Sequence, residues 1–190
     1  MKKLQNKLDE AIEFAVKAHS GQKRKSGAPY ILHPMEAATI AGSITDDEDV
    51  IIAALLHDVI EDADVNLPVI EEKFGKRVSE LVLSETEDKR PALPPDATWE
   101  IRKKESLAKL FFANDEGVKT VWLADKLSNI RSLHKGVMLE GDGYFRHFNQ
   151  KDKNMHKWYY SEIAKALKSL ENTDAYKEFI YLVDDTFIDR

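Results

Sequence analysis

His57-Asp58 and Glu61-Asp62 close the apolar run Ala53-Ala54-Leu55-Leu56, a position where four polar side chains need a physical reason. Asp46 and the acids after it suit a helix N-terminus, and Val50 through Ile60 read as the buried part of a helix over 46–61. On a continuous helix His57 and Glu61 are four residues apart, as are Asp58 and Asp62. The four side chains then project from one end of one face. Three carboxylates and an imidazole packed together repel one another and lose hydration unless a cation sits among them. A divalent metal meets that need. The alternative is a solvated acidic helix end, which leaves a His-Asp pair after Ala-Ala-Leu-Leu unexplained. Acids near a helix C-terminus also oppose its dipole, so Glu61 and Asp62 ask for a functional reason.

Asp125 lies inside Val121-Trp122-Leu123-Ala124-Asp125-Lys126-Leu127, where an unpaired carboxylate would be very costly. Taken alone, a salt bridge to a nearby Lys or Arg is its commoner solution. The company of His33 and His57-Asp58 turns the balance toward metal ligation. Two imidazoles and two carboxylates make an N/O donor set suited to Mn, Fe, Zn or Mg, and an octahedral ion would keep positions for water and a phosphate oxygen. Cys is absent, which excludes disulfides and thiolate ligands. Asn129, one turn after Asp125, is expected to face the same pocket and to hydrogen-bond water or a ribose. His19 falls on the apolar stripe of the first helix and reads as a core-edge residue. His134, His147 and His156 have no spacing that recommends them and read as surface.

The elements that must position these groups are helical nearly throughout, which predicts an all-α fold. Leu4, Leu8, Ala11, Ile12, Ala15, Val16 and His19 form one stripe of a first helix. Gly21 to Leu32 is a loop rich in Lys, Arg, Gly and Pro, and His33-Pro34 opens a second helix, because Pro is favoured at a first helical position. After the 46–61 helix, Asn66 reads as the cap of a short helix stopped by Gly75, and Val78 to Leu83 begin another that dissolves over Ser84–Arg90. Pro91–Asp96 reads as a loop and Thr98 as the cap of the helix after it. Gly117 to Val137 is a long helix, Gly141-Asp142-Gly143 breaks the chain, and two helices at about 152–170 and 174–187 finish it.

A chain of 190 residues with 43% hydrophobic and 33% charged residues has the make-up of an ordinary globule, and residues 1–190 read as a single domain. No apolar run approaches the roughly 18 to 20 residues needed to cross a bilayer, and the N-terminus lacks the apolar region of a signal peptide. The expectation is a cytoplasmic protein with no membrane partner. A formal net charge of −6 argues against broad nucleic-acid binding, while local basic clusters can still serve a small anionic ligand.

The ordered set His33, His57-Asp58 and Asp125 resembles that of the HD phosphohydrolase superfamily. Three longer segments narrow the resemblance: Ala18–Gly27 with Pro29-Tyr30-Ile31-Leu32-His33-Pro34, then Leu55–Asp62, then Leu123–Arg131. Together, over a motif core of about 18–131, they resemble the hydrolase domain of the RelA/SpoT homologues, which removes the 3′-pyrophosphate from the alarmones ppGpp and pppGpp. The length leaves no room for the synthetase and regulatory domains of the large bifunctional members, so the chain is similar to the small alarmone hydrolases.

The resemblance implies an HD-domain helical bundle and Mn²⁺ held by His33, His57, Asp58 and Asp125. It matches Glu61 and Asp62 to the family's paired catalytic acids, which orient and deprotonate water. Arg24 and Lys25 match residues that contact the guanine nucleotide, although Lys23-Arg24-Lys25 would otherwise read as a solvated basic loop. Lys103 and Lys153 are candidates for phosphate contacts, against the equal claim of ordinary helix surface. The implied partner is a small guanine nucleotide. Another nucleotide substrate, a non-catalytic alarmone-binding role and a homo-oligomer all stay open.

Overall fold

The computed structural model describes residues 6–63 and 65–188, so Leu4 of the predicted first stripe lies outside the described residues. The helices are α1 (Lys7–Ala18), α2 (Leu32–Gly42), α3 (Glu48–Leu56), α4 (Val59–Asp62), α5 (Leu67–Phe74), α6 (Lys76–Glu85), α7 (Pro95–Phe111), α8 (Glu116–Glu140), α9 (Lys153–Ala166) and α10 (Asp174–Thr186). Short 3-10 turns cover Gly141–His147 and Lys168–Leu170. Among the described residues the only extended pairing is an isolated bridge between Lys23 and Pro29. The predicted all-α class is the one observed.

Two helices organise the bundle. In α3 Val50 and every residue from Ile52 to Leu56 are buried, so this helix is apolar on all sides and can only sit centrally. The 25-residue α8 runs across it and packs on α2, α3, α6 and α10. Its inward face carries Val121, Trp122, Leu123, Leu127, Ile130 and Leu133, with Asp125 and Ser128 buried among them. A polar residue at such a position must be matched by the facing helix. The facing helix is α2, which brings His33.

The helix over 46–61 is interrupted in the structure. It starts at Glu48, with the Asp47 carboxylate accepting from the Asp49 amide (3.0 Å), and α3 stops at Leu56 before α4 resumes at Val59. His57 keeps helical angles (φ −56, ψ −35) but Asp58 relaxes to φ −93, ψ −7. His57 Nδ1 lies 2.7 Å from the Ala54 carbonyl, so the imidazole competes for the acceptor that a continuous helix would offer to the Asp58 amide. The break re-aims Glu61 and Asp62 relative to the two residues before it.

A second correction concerns α7, which begins at Pro95, inside the predicted loop. Pro at the first helical position lacks only a donor that would have been unpaired, and its φ suits the helix. Thr98 is therefore buried in the first turn, with its hydroxyl near the Pro94 and Pro95 carbonyls, and is not the cap. The Gly21–Ile31 loop is firmly folded. The Arg24 amide donates to the Ala28 carbonyl (2.9 Å) and the Gly27 amide to the Arg24 carbonyl (2.8 Å), with Gly27 at φ +85, a conformation open to glycine. This tight turn holds Arg24 and Lys25 at fixed places. Among the described residues no helix is long and apolar enough to cross a membrane.

Candidate active site

His33 at the start of α2, the His57-Asp58 break and Asp125 in α8 meet at one buried point. His33 Nε2 lies 3.0 Å from Asp125 Oδ1 and 3.5 Å from Asp58 Oδ2. His57 Nε2 lies 3.0 Å from Asp58 Oδ2 and 3.3 Å from Asp125 Oδ1. Donor atoms of His33, His57 and Asp58 all fall within 4.8 Å of one another.

Each imidazole is oriented from behind. His33 Nδ1 is 2.8 Å from Ser128 Oγ, which in turn donates to Glu36 (2.7 Å), and Arg131 holds the other oxygen of Glu36 (2.8 Å). The Ala54 carbonyl does the same for His57. With both Nδ1 atoms engaged, both Nε2 atoms turn inward, the arrangement that metal-ligating histidines use. His57 Nε2 is buried without a hydrogen-bond partner despite its close carboxylates, since none is aligned to pair with it. An orphaned inward-facing nitrogen beside two carboxylates fits a divalent cation.

Burial works against charge at His57, Asp58 and Asp125, yet the attraction of their charged neighbours prevails. For His57, Asp58 and Asp125 outweigh burial and raise the imidazole well above its usual range. Asp58 is held well below the carboxylate range, against burial, by His57 and His33. Asp125 is lowered in the same way, chiefly by Lys126 and then His57. Lys126 pairs with the second Asp125 oxygen and reaches Glu85 at 2.9 Å. The salt bridge weighed from sequence for Asp125 thus exists alongside its place in the cluster. Asn129 Nδ2 donates to Asp125 Oδ1 (2.6 Å), and its carbonyl accepts from Arg24 (2.9 Å), so Asn129 does face this pocket.

Glu61 and Asp62 stand at the rim. The Tyr30 hydroxyl lies 2.6 Å from Asp58 Oδ2 and 3.0 Å from Asp62 Oδ2, so one proton bridges a cluster carboxylate to a rim carboxylate. Burial, and then Asp58, push the Tyr30 pKa far up and keep that proton in place. Glu61 is raised by burial, with Lys89 opposing. Lys89 Nζ is 2.6 Å from Glu61 and 3.4 Å from Asp62. Neither Tyr30 nor Lys89 was assigned a role from sequence. Tyr30 carried a signal, since it sits three residues before His33; Lys89 lies in a charged run with none.

Beside the cluster, the Gly21–Ile31 loop, α8, the Gly141–His147 turn and α9 enclose a cleft of about 750 Å³. Arg24 and Lys25 line it, with Tyr30, Asn129, Tyr144 and Phe148. The Lys25 ammonium sits 3.7 Å from the Phe148 ring centre and the Arg24 guanidinium 5.7 Å from that of Tyr30. Burial, and next Arg24, lower the Lys25 pKa to about 8.

The remaining residues singled out from sequence are placed elsewhere or engaged otherwise. Lys103 is committed to Glu87 (2.6 Å) beneath the Tyr159 ring. Lys153 reaches Asp142 and the Ile188 carbonyl, at the far end of the Gly141–His147 turn. His156 is a correction. It is buried among Trp99, Phe145 and Phe148, with Nε2 2.9 Å from the Gln150 carbonyl, and burial lowers its pKa. One-sided helix periodicity concealed it, because the ring is covered by α7 and the 3-10 turn as well as by its own neighbours.

An all-helical bundle that gathers a His, a His-Asp pair and a second Asp at one buried point defines a class of divalent-metal proteins. The chain belongs to the HD domain family, whose model matches residues 11–142. It is 37% identical over 128 residues to a guanosine-3′,5′-bis(diphosphate) 3′-pyrophosphohydrolase of Aquifex aeolicus, covering 66% of this chain and 18% of that protein. It is 40% identical over 135 residues to a GTP pyrophosphokinase of Brucella suis biovar 1, covering 70% of this chain and 17% of that one. The chain therefore spans less than a fifth of the length of these curated relatives. Among solved structures, a metazoan ortholog of SpoT that hydrolyzes ppGpp superposes with a TM-score of 0.76 at 26% identity, covering 96% of both chains. A Listeria monocytogenes EGD-e protein superposes with a TM-score of 0.71 at 30% identity, over 82% of this chain and 98% of that one.

Proposed function

We propose that this protein is a divalent-metal-dependent hydrolase that removes the 3′-pyrophosphate of ppGpp and pppGpp, giving GDP or GTP plus pyrophosphate. The observation that carries the reading is the joint presence of the His33, His57 and Asp58 cluster with Asp125 against both imidazoles, the Glu61-Asp62 pair at its rim and a basic cleft lined by Tyr30, which touches Asp58 and Asp62. The name of the Aquifex relative and the activity of the metazoan ortholog of SpoT support the substrate.

His33, His57, Asp58 and Asp125 would hold the ion, with Mn²⁺ the proposed metal. When bound, it supplies positive charge that polarises a phosphoryl oxygen and lowers the pKa of adjacent water. Glu61 and Asp62 take the proton of the attacking water, whose oxygen bonds to the phosphorus nearest the ribose as the bond to O3′ breaks. O3′ leaves with a proton as the ribose hydroxyl. Tyr30 keeps Asp62 in register with Asp58 through its shared hydroxyl proton. Arg24 presents its guanidinium plane to the guanine, Asn129 a polar group to the ribose, and Lys25 a cation to a phosphate. Lys103 and Lys153 are left to their intramolecular partners.

Purified protein with Mn²⁺ should release pyrophosphate from ppGpp, and a chelator should abolish release. Glu61→Gln and Asp62→Asn should keep the metal and lose about 10²- to 10⁴-fold in kcat, the usual contribution of general base catalysis. Preferential turnover of another nucleotide in a panel would replace the substrate assignment. Undiminished turnover in chelator would remove the metal.

A further inference from the structure

Glu85–Arg90 leads out of α6, and the chemistry above gives its side chains no task. The segment leaves the helix in extended conformation (Thr86 φ −62, ψ 125), and Glu85, Glu87 and Lys89 carry its contacts toward the site, while Lys109 holds the Thr86 carbonyl and Arg90 pairs with Glu105 on α7. Glu85 pairs with Lys126, which pairs with Asp125. The Glu87 amide donates to Glu61 Oε1 at 2.6 Å, and Lys89 Nζ lies 2.6 Å from Glu61 Oε2. The intervening side chains turn back on their own segment: Thr86 Oγ1 donates to the Val82 carbonyl, and Asp88 accepts from the Arg90 amide. Both oxygens of Glu61 are therefore held by this strap.

The strap needs its own anchor, because an extended surface segment does not stay within the tolerance that a reacting group requires, about 0.5 Å. The Glu87 side chain supplies one. Its carboxylate is 9% exposed and accepts from Arg102 Nη1 (2.7 Å), Lys103 Nζ (2.6 Å) and Ser106 Oγ (3.1 Å), all on α7. Burial pushes the Glu87 carboxyl up, but Lys103, then Lys126 and Arg102, overcome this and bring it to about 2. It is an anion throughout the working range.

We propose that Glu87 is a positioning residue for the catalytic acids: its carboxylate, clamped by α7, fixes the backbone N–H and the Lys89 ammonium that orient Glu61 and Asp62. This rests on the reading of Glu61 and Asp62 as the acids of a pyrophosphohydrolase. It also gives Lys103 a task at the site that requires no contact with phosphate.

The test is a double-mutant cycle on the full chain with Mn²⁺ and ppGpp. Glu87→Gln keeps the shape and weakens the clamp. It should lower kcat by up to about 10²-fold, the scale of a 1 Å misplacement, with KM within about twofold and metal content unchanged. Added to Glu61→Gln it should cost little more, because both changes remove the same contribution. Lys89→Met should behave in the same way. Losses that multiply, or a rise in KM alone, would overturn the proposal. Amide exchange at residue 87 reads the strap without turnover: Glu61→Ala and Glu87→Gln should each speed it about tenfold. An unchanged rate overturns the strap whatever the activity. A chain inactive on ppGpp whose residue 87 amide still responds overturns the substrate reading and keeps the strap as the holder of Glu61.

Discussion

The buried cluster and the cleft beside it are made of different materials. At the cluster, side chains 1–4% exposed (His33, His57, Asp125) are bound at distances near 3 Å and backed by groups on helices, and Asp58 is backed by Tyr30 of the Gly21–Ile31 loop. At the cleft, Arg24 and Lys25 stand on a turn, and their cations rest on ring faces. Misplaced charge is very costly in a dry interior, so the cluster must be fully determined by the fold. A cation on a ring face keeps most of its attraction when it shifts, so the Lys25 side chain stays adjustable while the turn beneath it is fixed. The backbone is fixed in both places, and what differs is how narrowly the side chains are held.

That contrast can be broken at its strongest point first. His57→Ala or Asp58→Ala should lose the metal and at least about 10³-fold in turnover, whereas Arg24→Ala should keep full metal content and raise KM by about tenfold or more. Metal content by elemental analysis beside steady-state kinetics separates the two. Loss of metal in Arg24→Ala would erase the division.

Ser128→Ala is the intermediate case. It removes the group behind His33 and leaves all four ligands in place, so metal affinity should fall about 10- to 100-fold, read by competition with a chelator of known affinity. An unchanged affinity would mean that packing alone aims the imidazole.

The smallest effect belongs to the cleft. Lys25, with its pKa lowered to about 8, is charged below that pH and neutral above it. KM for ppGpp should therefore be flat up to about pH 7 and climb above pH 8, at most about tenfold per unit. Lys25→Met should show a raised KM without that climb. A climb that persisted in the variant would assign it to another group.

The sequence marked the residues that meet in the cluster because their signal is costly: His33, His57-Asp58 and Asp125 are polar residues inside apolar text, and such residues are rarely accidental. The helices were equally legible, since apolar period and glycine stops mark them chain-locally. Legibility failed where a side chain takes a backbone acceptor or is covered by distant segments. The break at His57-Asp58 depends on an imidazole reaching the Ala54 carbonyl, and periodicity alone draws a helix straight through it. The burial of His156 depends on α7 and the Gly141–His147 turn arriving from distant parts of the chain.

By itself, then, the sequence determined the all-α class, through apolar periodicity, and the family resemblance, through the motif segments that carry His33, His57-Asp58 and Asp125. Tertiary structure alone decided what those groups are tied to: Ser128 and Glu36 behind His33, Tyr30 between Asp58 and Asp62, Lys89 and the Glu87 amide on Glu61, and Glu87 on α7. Except for Glu36, which shares α2 with His33, these partners come from other helices or loops, and Glu87 and Lys89 lie in a charged run well beyond Glu61. Charge runs look alike in one dimension, and only the packing of α2, α6, α7 and α8 separates a solvated lysine from one that holds Glu61.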